Sequence, residues 1–142
     1  MISSFRDSYR FLSNFELCPV QYDELWFPST EHAYQAAKAK SHSLRMYFTN
    51  ESLTPGGAKR AGQKLDLRED WEQIKLGVME DLLRQKFSSG SDLARKLLLT
   101  GDEELVEGNT WGDTYWGVDS VKGGQNNLGK LLMKIREELR TR

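Results

Sequence analysis

The sequence predicts an α+β protein that is mostly helical, has a few short strands and folds as a single domain over residues 1–142. Three observations support this class. A chain of 142 residues suits one compact hydrophobic core rather than two. Apolar residues recur at three- and four-residue steps through much of the second half, as in amphipathic helices. The first thirty residues are aromatic and are interrupted by Pro19 and Pro28, which favours short strands and loops.

The first strand and the first helix are predicted from local signals. Residues 17–22 are the best strand candidate of the aromatic N-terminal segment. Pro28 restricts the preceding residue to an extended conformation, and Ser29 or Thr30 is suited to cap the helix that follows. This helix is rich in alanine and free of Gly and Pro, so we expect it to reach about Lys40.

The middle of the chain predicts two further helices. A short one is expected over residues 43–50, followed by a turn at residues 55–57, where Pro-Gly-Gly occurs. Residues 68–87 give the clearest helix signal in the chain. Its apolar stripe consists of Trp71, Ile74, Val78, Leu82 and Leu83.

The C-terminal third is predicted to contain two helices separated by an irregular connection. Ser91 is suited to cap a helix that ends near Gly101. Residues 104–107 are a candidate strand, and residues 108–124 form a connection rich in glycine, aromatic residues and aspartate. The last helix is expected over residues 127–140, with five inward-facing apolar residues: Leu128, Leu131, Leu132, Ile135 and Leu139.

Composition excludes several classes of function. The net charge is −1, whereas proteins that depend on phosphate-backbone contacts are usually more basic. Cys18 is the only cysteine, so neither an intramolecular disulfide nor a multi-cysteine metal site is expected. There is no Ser/His/Asp order or His-rich metal spacing, and neither a signal peptide nor a membrane span is evident. These features predict a cytoplasmic protein without a metal site.

The most suggestive polar stretch lies at the start of the first helix. Glu31, Gln35 and Lys38 are spaced i, i+4 and i+7 and therefore share one helix face. A carboxylate, an amide and an amine together are able to bind and polarise a sugar. Lys38 would need burial to lower its pKa before it could act as a nucleophile. From spacing alone a solvent-exposed polar face is the favoured interpretation, and His32 is interpreted as a capping or packing residue.

A second candidate stretch is the aromatic connection around Asp113. Its tryptophans offer flat faces for stacking, and Asp113 is able to bind ribose hydroxyls or to orient a water molecule. A structural loop in which Asp113 caps a turn is equally compatible with the sequence. Weaker signals are the segment Ser13-Asn14-Phe15, for hydrogen bonds and stacking, and Lys59, for a phosphate. The glycines before Asn127 suggest backbone N–H groups that face a phosphate.

Taken together, these stretches resemble the NADAR family of YbiA-like N-glycosidases. The resemblance rests on motifs that occur in order over nearly the whole chain. They are Phe11-Leu12-Ser13-Asn14-Phe15, Ser29 with Glu31-His32, Gln35 and Lys38, Ala58-Lys59 with Gly62, Trp71-Glu72, Val78-Met79, Lys86-Phe87, Leu105-Val106-Glu107, Asp113-Thr114-Tyr115-Trp116-Gly117, and Asn127-Leu128-Gly129 with Leu131-Leu132-Met133 and Arg136. The loop that contains Trp111-Gly112 is longer and more aromatic than the family pattern.

The resemblance implies hydrolysis of the C–N bond between a ribose-phosphate group and a nitrogenous base or amine. Some members act on phosphoribosyl-amino intermediates of riboflavin synthesis, and others remove ADP-ribose from guanine in DNA. The expected substrate is thus a phosphoribosyl or ADP-ribosyl compound, with ADP-ribosylated DNA as a partner in the second case.

The resemblance also implies roles for individual residues. Glu31, Trp71, Asp113 and Trp116 match the active-site residues of the family, and Lys38 matches a lysine that forms a Schiff base with opened ribose. Ser13, Asn14, Gln35 and Asn127 are then candidate ligand contacts. Direct attack by water is an alternative to the covalent route, and neither route requires a cofactor.

Two other functional classes remain open at this level. The first is a non-catalytic module that binds ADP-ribose or a nucleotide through the same aromatic residues, and the pairing of Glu31 with Lys38 argues against it. The second is a structural or partner-binding helical domain, which the ordered motifs disfavour.

Overall fold

The structure is a computed structural model that describes residues 1–141. The chain divides into two compact units. We call Asn14–Lys86 the continuous unit, and Met1–Ser13 with Phe87–Arg142 the discontinuous unit. The expectation of a single domain over residues 1–142 stays a prediction, and each unit is described in turn.

The continuous unit begins with a β-hairpin. Strands β1 (Leu17–Tyr22) and β2 (Leu25–Ser29) pair antiparallel, with Val20 opposite Phe27 and both side chains buried. Asp23 and Glu24 connect the strands with φ of 52° and 63°. Two successive positive φ angles are typical of the two-residue turn that matches the twist of a hairpin. The strand predicted at residues 17–22 is confirmed.

Helix α1 (Thr30–Ala37) follows the hairpin directly and ends three residues earlier than expected. Ser29 caps it, because its side chain accepts a hydrogen bond from the backbone N–H of His32 at 3.2 Å. At the other end the N–H groups of Lys38 and Ala39 bond three residues back, which tightens the last turn. The carbonyl of Lys38 accepts the N–H of Arg68, so the chain leaves the helix here.

Three more helices complete the continuous unit. Helix α2 (His42–Met46) runs into a 3₁₀ turn (Tyr47–Thr49), close to the helix predicted at residues 43–50. Helix α4 (Trp71–Lys86) confirms the strongest helix signal. The turn predicted at residues 55–57 is wrong, because these residues begin helix α3 (Pro55–Gly62). Proline is favoured at the first helical position, and the Thr54 hydroxyl accepts the N–H of Gly57 at 3.0 Å.

Helix α1 is the centre of the continuous unit. It packs against both strands and against α3 and α4, and all eight of its residues are buried. Ala33, Ala36 and Ala37 are fully buried and allow the surrounding backbones to approach closely. The polar side chains of this helix therefore have little access to bulk water and depend largely on partners within the protein.

The discontinuous unit is built around α5 (Asp92–Leu99) and α6 (Asn127–Arg140). Helix α5 packs on α6 and on an N-terminal 3₁₀ helix (Asp7–Leu12). The predicted cap of α5 is confirmed, since the Ser91 hydroxyl accepts the N–H of Ala94 at 3.1 Å. The apolar residues predicted to face inward from α6 are all buried.

The strand predicted at residues 104–107 is wrong. Leu105 makes only an isolated bridge with Ile2, and the strands are the two-residue pair β3 (Gly108–Asn109) and β4 (Val118–Asp119), which are parallel. The segment is extended but pairs with a single N-terminal residue, so no ladder develops. Within residues 1–141, no helix is long and apolar enough to cross a membrane.

Candidate functional site

The polar face of α1 is buried rather than solvated. Glu31 is 7% exposed and Gln35 is 4% exposed. The side-chain amide of Gln35 donates from Nε2 to Oε2 of Glu31 over 2.6 Å, a short charge-assisted hydrogen bond. The solvent-exposed face that spacing alone favoured is therefore wrong, because neighbouring elements cover α1 on this side as well.

The position of Glu31 is also fixed through its backbone. Its N–H lies in the first turn of α1 and donates to the carbonyl oxygen of Asn14 at 3.1 Å. The positive end of the helix dipole stabilises a carboxylate at this position. Glu31 is thus a buried, hydrogen-bonded carboxylate, suited to stabilising a positive charge that develops beside it.

Lys38 caps the opposite end of the same helix. Its Nζ lies 5.4 Å from the ring centroid of Tyr34, and that ring packs at 5.2 Å from the ring of Trp71. Burial lowers the pKa of the Lys38 ammonium group, and the positive charges of Lys59 and Lys75 lower it further, while Glu31 opposes them. A lowered pKa increases the neutral, nucleophilic fraction of an amine near neutral pH. The burial that Lys38 needs for a lowered pKa, which the sequence could not show, is therefore present in the structure.

Gly62 in α3 provides the space that Gln35 occupies. A Cβ atom at position 62 would lie 1.9 Å from Oε1 of Gln35 and 2.7 Å from its Cδ. This oxygen has no hydrogen-bond partner among residues 1–141 and faces the glycine backbone. The Gln35 amide is therefore held between Gly62 and Glu31, and the structure places it as a support for the carboxylate.

His32 is structural, as the sequence suggested. Its Nε2 lies 2.6 Å from the carbonyl oxygen of Leu53, and its Nδ1 lies 2.7 Å from the Ser29 hydroxyl. The carbonyl can only accept, so Nε2 carries the proton and Nδ1 accepts from Ser29. Burial lowers the pKa of His32 and keeps the imidazole neutral. The ring joins the start of α1 to the segment before α3.

Asp113 lies in the discontinuous unit, and one of its oxygens caps a turn. Its Oδ1 accepts the N–H groups of Tyr115 and Trp116 at 3.1 and 2.9 Å. The rings of Tyr115 and Trp116 are perpendicular, with centroids 4.8 Å apart. The turn-capping interpretation is therefore confirmed for Oδ1, while Oδ2 makes no hydrogen bond within the described chain.

Four successive backbone N–H groups at the start of α6 are already bonded within the protein. The N–H groups of residues 125–128 donate to the carbonyl oxygens of residues 114–117 over 2.8–3.2 Å. The expected phosphate contact before Asn127 is wrong for these four groups, because the loop carbonyls occupy them. The same bonds hold the loop of Asp113 and Trp116 against the helix. The Asn127 side chain donates to Oε1 of Gln125 at 3.3 Å.

The predicted site residues fall into two groups. The continuous unit contains seven of them: Asn14, Phe15, Glu31, Gln35, Lys38, Lys59 and Trp71. The discontinuous unit contains the other four: Ser13, Asp113, Trp116 and Asn127. The roles of these residues and the single pocket that the resemblance implies stay predictions.

Asn14 contributes to the continuous group through more than its carbonyl oxygen. Its Nδ2 lies 3.6 Å from the sulfur of Met79, and its buried Oδ1 has no hydrogen-bond partner among residues 1–141. Phe15 and Lys59 are partly exposed.

Sequence reasoning did not select Tyr34, Lys75 or Asn109. Tyr34 and Lys75 lie four residues from Lys38 and Trp71 respectively, so helical spacing from those candidates would have found them. Asn109, whose side chain forms hydrogen bonds with the backbone of Asp113, had no such signal, because these contacts depend on loop geometry. Within residues 1–141 there is no group of three or more His, Cys, Asp or Glu residues placed to hold a metal ion.

Comparisons with known proteins agree with the motifs. A family model described as the NADAR domain matches residues 2–140. The N-glycosidase YbiA of Escherichia coli K12 is 38% identical over 135 residues, which cover 94% of this chain and 83% of that protein. A riboflavin biosynthesis protein of Vibrio vulnificus is 36% identical over 135 residues, which cover 94% of this chain and 36% of that protein.

The fold has a solved counterpart. The NMR structure of the E. coli protein YbiA matches with a TM-score of 0.84 and 37% identity, covering 99% of this chain and 83% of that chain. This similarity confirms the predicted mostly helical α+β class of the YbiA-like type.

The contact between Gly62 and Gln35 leads to a stability prediction. Gly62→Ala is expected to lower the free energy of unfolding by about 1–3 kcal/mol, because the new methyl group must displace the buried Gln35 amide. Gly77→Ala is the matched control, since Gly77 lies in α4 with no atom within 4 Å of its Cβ position. That change should stabilise by about 0.5–1 kcal/mol. Urea unfolding of both variants tests this, and an unchanged or more stable Gly62→Ala protein would contradict it.

Proposed function

We propose that Lys38 is the nucleophile of this protein, which belongs to the NADAR domain family and is a hydrolase of N-glycosyl bonds. Glu31 is then the carboxylate that stabilises the reacting sugar. The observation that carries the proposal is the partly buried amine of Lys38, with its lowered pKa, on the same helix as the buried carboxylate. Asp113 and Trp116 keep the roles that the family resemblance implies, as a carboxylate for water or ribose hydroxyls and as an aromatic face.

The proposed reaction balances with water as the only co-reactant. Neutral Lys38 forms a bond from Nζ to C1 of the ribose as the bond from C1 to the base nitrogen breaks, and one proton of Nζ passes to the departing nitrogen. The second proton of Nζ passes to the ring oxygen as its bond to C1 breaks, which gives an imine to the opened sugar. Water then adds to C1, its two protons return to Nζ, and the bond from C1 to Nζ breaks to release the sugar and neutral Lys38. Positive charge develops on the sugar in the first step, which a neighbouring carboxylate such as Glu31 stabilises.

We propose a phosphoribosyl-amino metabolite as the substrate. The near-neutral net charge supports a small molecule over a DNA duplex. The riboflavin biosynthesis protein among the relatives supports the same substrate class. Lys59 and Lys75 supply positive charge near Lys38, which suits a phosphorylated sugar.

Substitution of the catalytic pair tests the mechanism. Glu31→Gln and Lys38→Met should each lower kcat by about 10²–10⁴-fold, because each removes a group that acts in the transition state. Lys40→Met is the matched control, since Lys40 is exposed just beyond α1, and it should retain full activity. Borohydride added during turnover should attach the sugar phosphate to Lys38, as detected by peptide mass spectrometry. Turnover without an adduct would replace the covalent route with direct attack by water.

The substrate assignment is tested by assaying the purified protein on two compounds in parallel. We expect release of the amine from a phosphoribosylamino-pyrimidine and little release of ADP-ribose from ADP-ribosylated single-stranded DNA. Faster turnover of the DNA would reverse the assignment. Tight binding of either compound without bond cleavage would show that this compound is a ligand and not the substrate.

The lowered pKa of Lys38 predicts the pH dependence of catalysis. The nucleophile must be neutral, so kcat should rise with pH and level off above the pKa of Lys38. Lys75→Met removes a positive charge that lowers this pKa, and the rising limb should therefore move to higher pH. Lys64→Met, an exposed lysine in the same unit, should leave the limb in place. A pH profile that is the same in both variants would show that Lys38 does not control the rate.

A further inference from the structure

The side chain of Asn109 forms hydrogen bonds with both the backbone N–H and the backbone carbonyl oxygen of Asp113. Asn109 ends β3 and is 5% exposed. Its Oδ1 accepts the N–H of Asp113 at 3.0 Å, and its Nδ2 donates to the carbonyl oxygen of the same residue at 3.0 Å. One planar amide therefore satisfies both backbone polar groups of Asp113. Two parallel hydrogen bonds fix orientation as well as position.

The carboxyl group of Asp113 is fixed in turn by the residues after it. Its Oδ1 accepts the N–H groups of Tyr115 and Trp116, so rotation of the side chain would break both bonds. Oδ2 makes no hydrogen bond to any residue from 1 to 141. The Asn109 amide and the turn capped by Asp113 together fix the direction in which Oδ2 points. Oδ2 is therefore able to accept a hydrogen bond from another molecule.

The buried carboxylate of Asp119 holds Gly112, the residue before Asp113. Asp119, the partner of Asn109 in the β3–β4 pair, is 5% exposed and accepts the N–H of Gly112 at 2.8 Å through Oδ1. Its Oδ2 accepts the N–H groups of Val121 and Lys122. These bonds lower the pKa of Asp119, the largest effects coming from Lys122 and Val121. Asp119 therefore stays ionised and keeps the far side of the loop in place.

We propose that Asn109 is a positioning residue, which sets the direction in which Asp113 presents its open carboxylate oxygen to the substrate. The inference rests on the proposed function, because it acts through Asp113. Asparagine suits the role because the position requires an acceptor and a donor on one rigid group. Aspartate has no donor for the carbonyl oxygen, and leucine of similar size has neither.

The first test is Asn109→Leu, with steady-state kinetics on the phosphoribosyl-amino substrate. We expect kcat to fall by about 10²-fold and KM to change by less than about threefold, because a small displacement of a reacting group lowers the rate steeply. Ser91→Ala is the control for stability, since it removes a cap in the same unit and costs about 1 kcal/mol. It should lower the melting temperature without changing kcat. A fall in kcat that follows stability in both variants would overturn the proposal.

The double variant Asn109→Leu with Asp113→Asn separates positioning from a general structural role. Asp113→Asn alone should be strongly impaired, and adding Asn109→Leu should lower kcat little further, because the two residues act as one unit. Additive losses would contradict the inference. Full activity in Asp113→Asn would instead refute the proposed role of Asp113, whereas an inactive Asp113→Asn with an active Asn109→Leu would refute only the positioning.

Asn109→Asp provides a second variant in case the leucine disrupts folding. It retains an acceptor for the N–H of Asp113 but places a negative charge near the Asp113 carboxylate. The carbonyl oxygen of Asp113 then faces a carboxylate instead of a donor, so kcat should fall by about 10²-fold while KM changes little. Full activity of a folded Asn109→Asp protein would overturn the proposal.

Discussion

Complete burial of α1 is the constraint on which the candidate site depends. Little water reaches the polar side chains of this helix, so Glu31 forms hydrogen bonds inside the protein. It receives one from the Gln35 amide over 2.6 Å, and its backbone N–H is taken by Asn14. The resulting carboxylate is held by this bond and is only 7% exposed. Both properties increase its effect on a charged sugar, because a fixed group in a medium of low dielectric constant does not need to reorganise.

Small residues make this burial possible. The alanines of α1 allow the β-hairpin and two helices to approach its axis, and Gly62 leaves room for the Gln35 side chain. The same close packing surrounds the amine of Lys38 and lowers its pKa. The electrostatic properties of the carboxylate and the amine thus have one cause, which is the exclusion of water around a short alanine-rich helix.

In the discontinuous unit, hydrogen bonds hold an irregular loop in one conformation. The loop around Asp113 contains no long strand or helix, yet its backbone groups are largely satisfied. The N-terminus of α6 donates to four successive carbonyl oxygens, and the buried side chains of Asn109 and Asp119 bond to the remaining turns. Hydrogen bonds to a rigid helix and to two buried polar side chains replace the order that regular secondary structure would have given.

The sequence by itself determined the fold class and most elements, because these depend on local periodicity and capping. Residues 17–22 and the last helix were found at their observed bounds. Ser91 was identified as a cap, and Ser29 was one of two candidates, with Thr30, for the cap of α1. The start of α3 was misread, because Pro-Gly-Gly signals a turn unless the Thr54 cap and the favoured first helical position of proline are weighed. The strand expected at residues 104–107 failed because pairing is decided by distant residues.

Only the tertiary structure decided what the polar residues do. Helical spacing placed Glu31, Gln35 and Lys38 on one face, but the same spacing fits a solvated surface, and burial by the neighbouring elements made the difference. No sequence pattern predicts the two hydrogen bonds between the Asn109 side chain and the Asp113 backbone, since they depend on how the chain turns between the two residues. Local periodicity fixes which side of a helix a residue occupies, whereas its environment depends on the elements packed against that side.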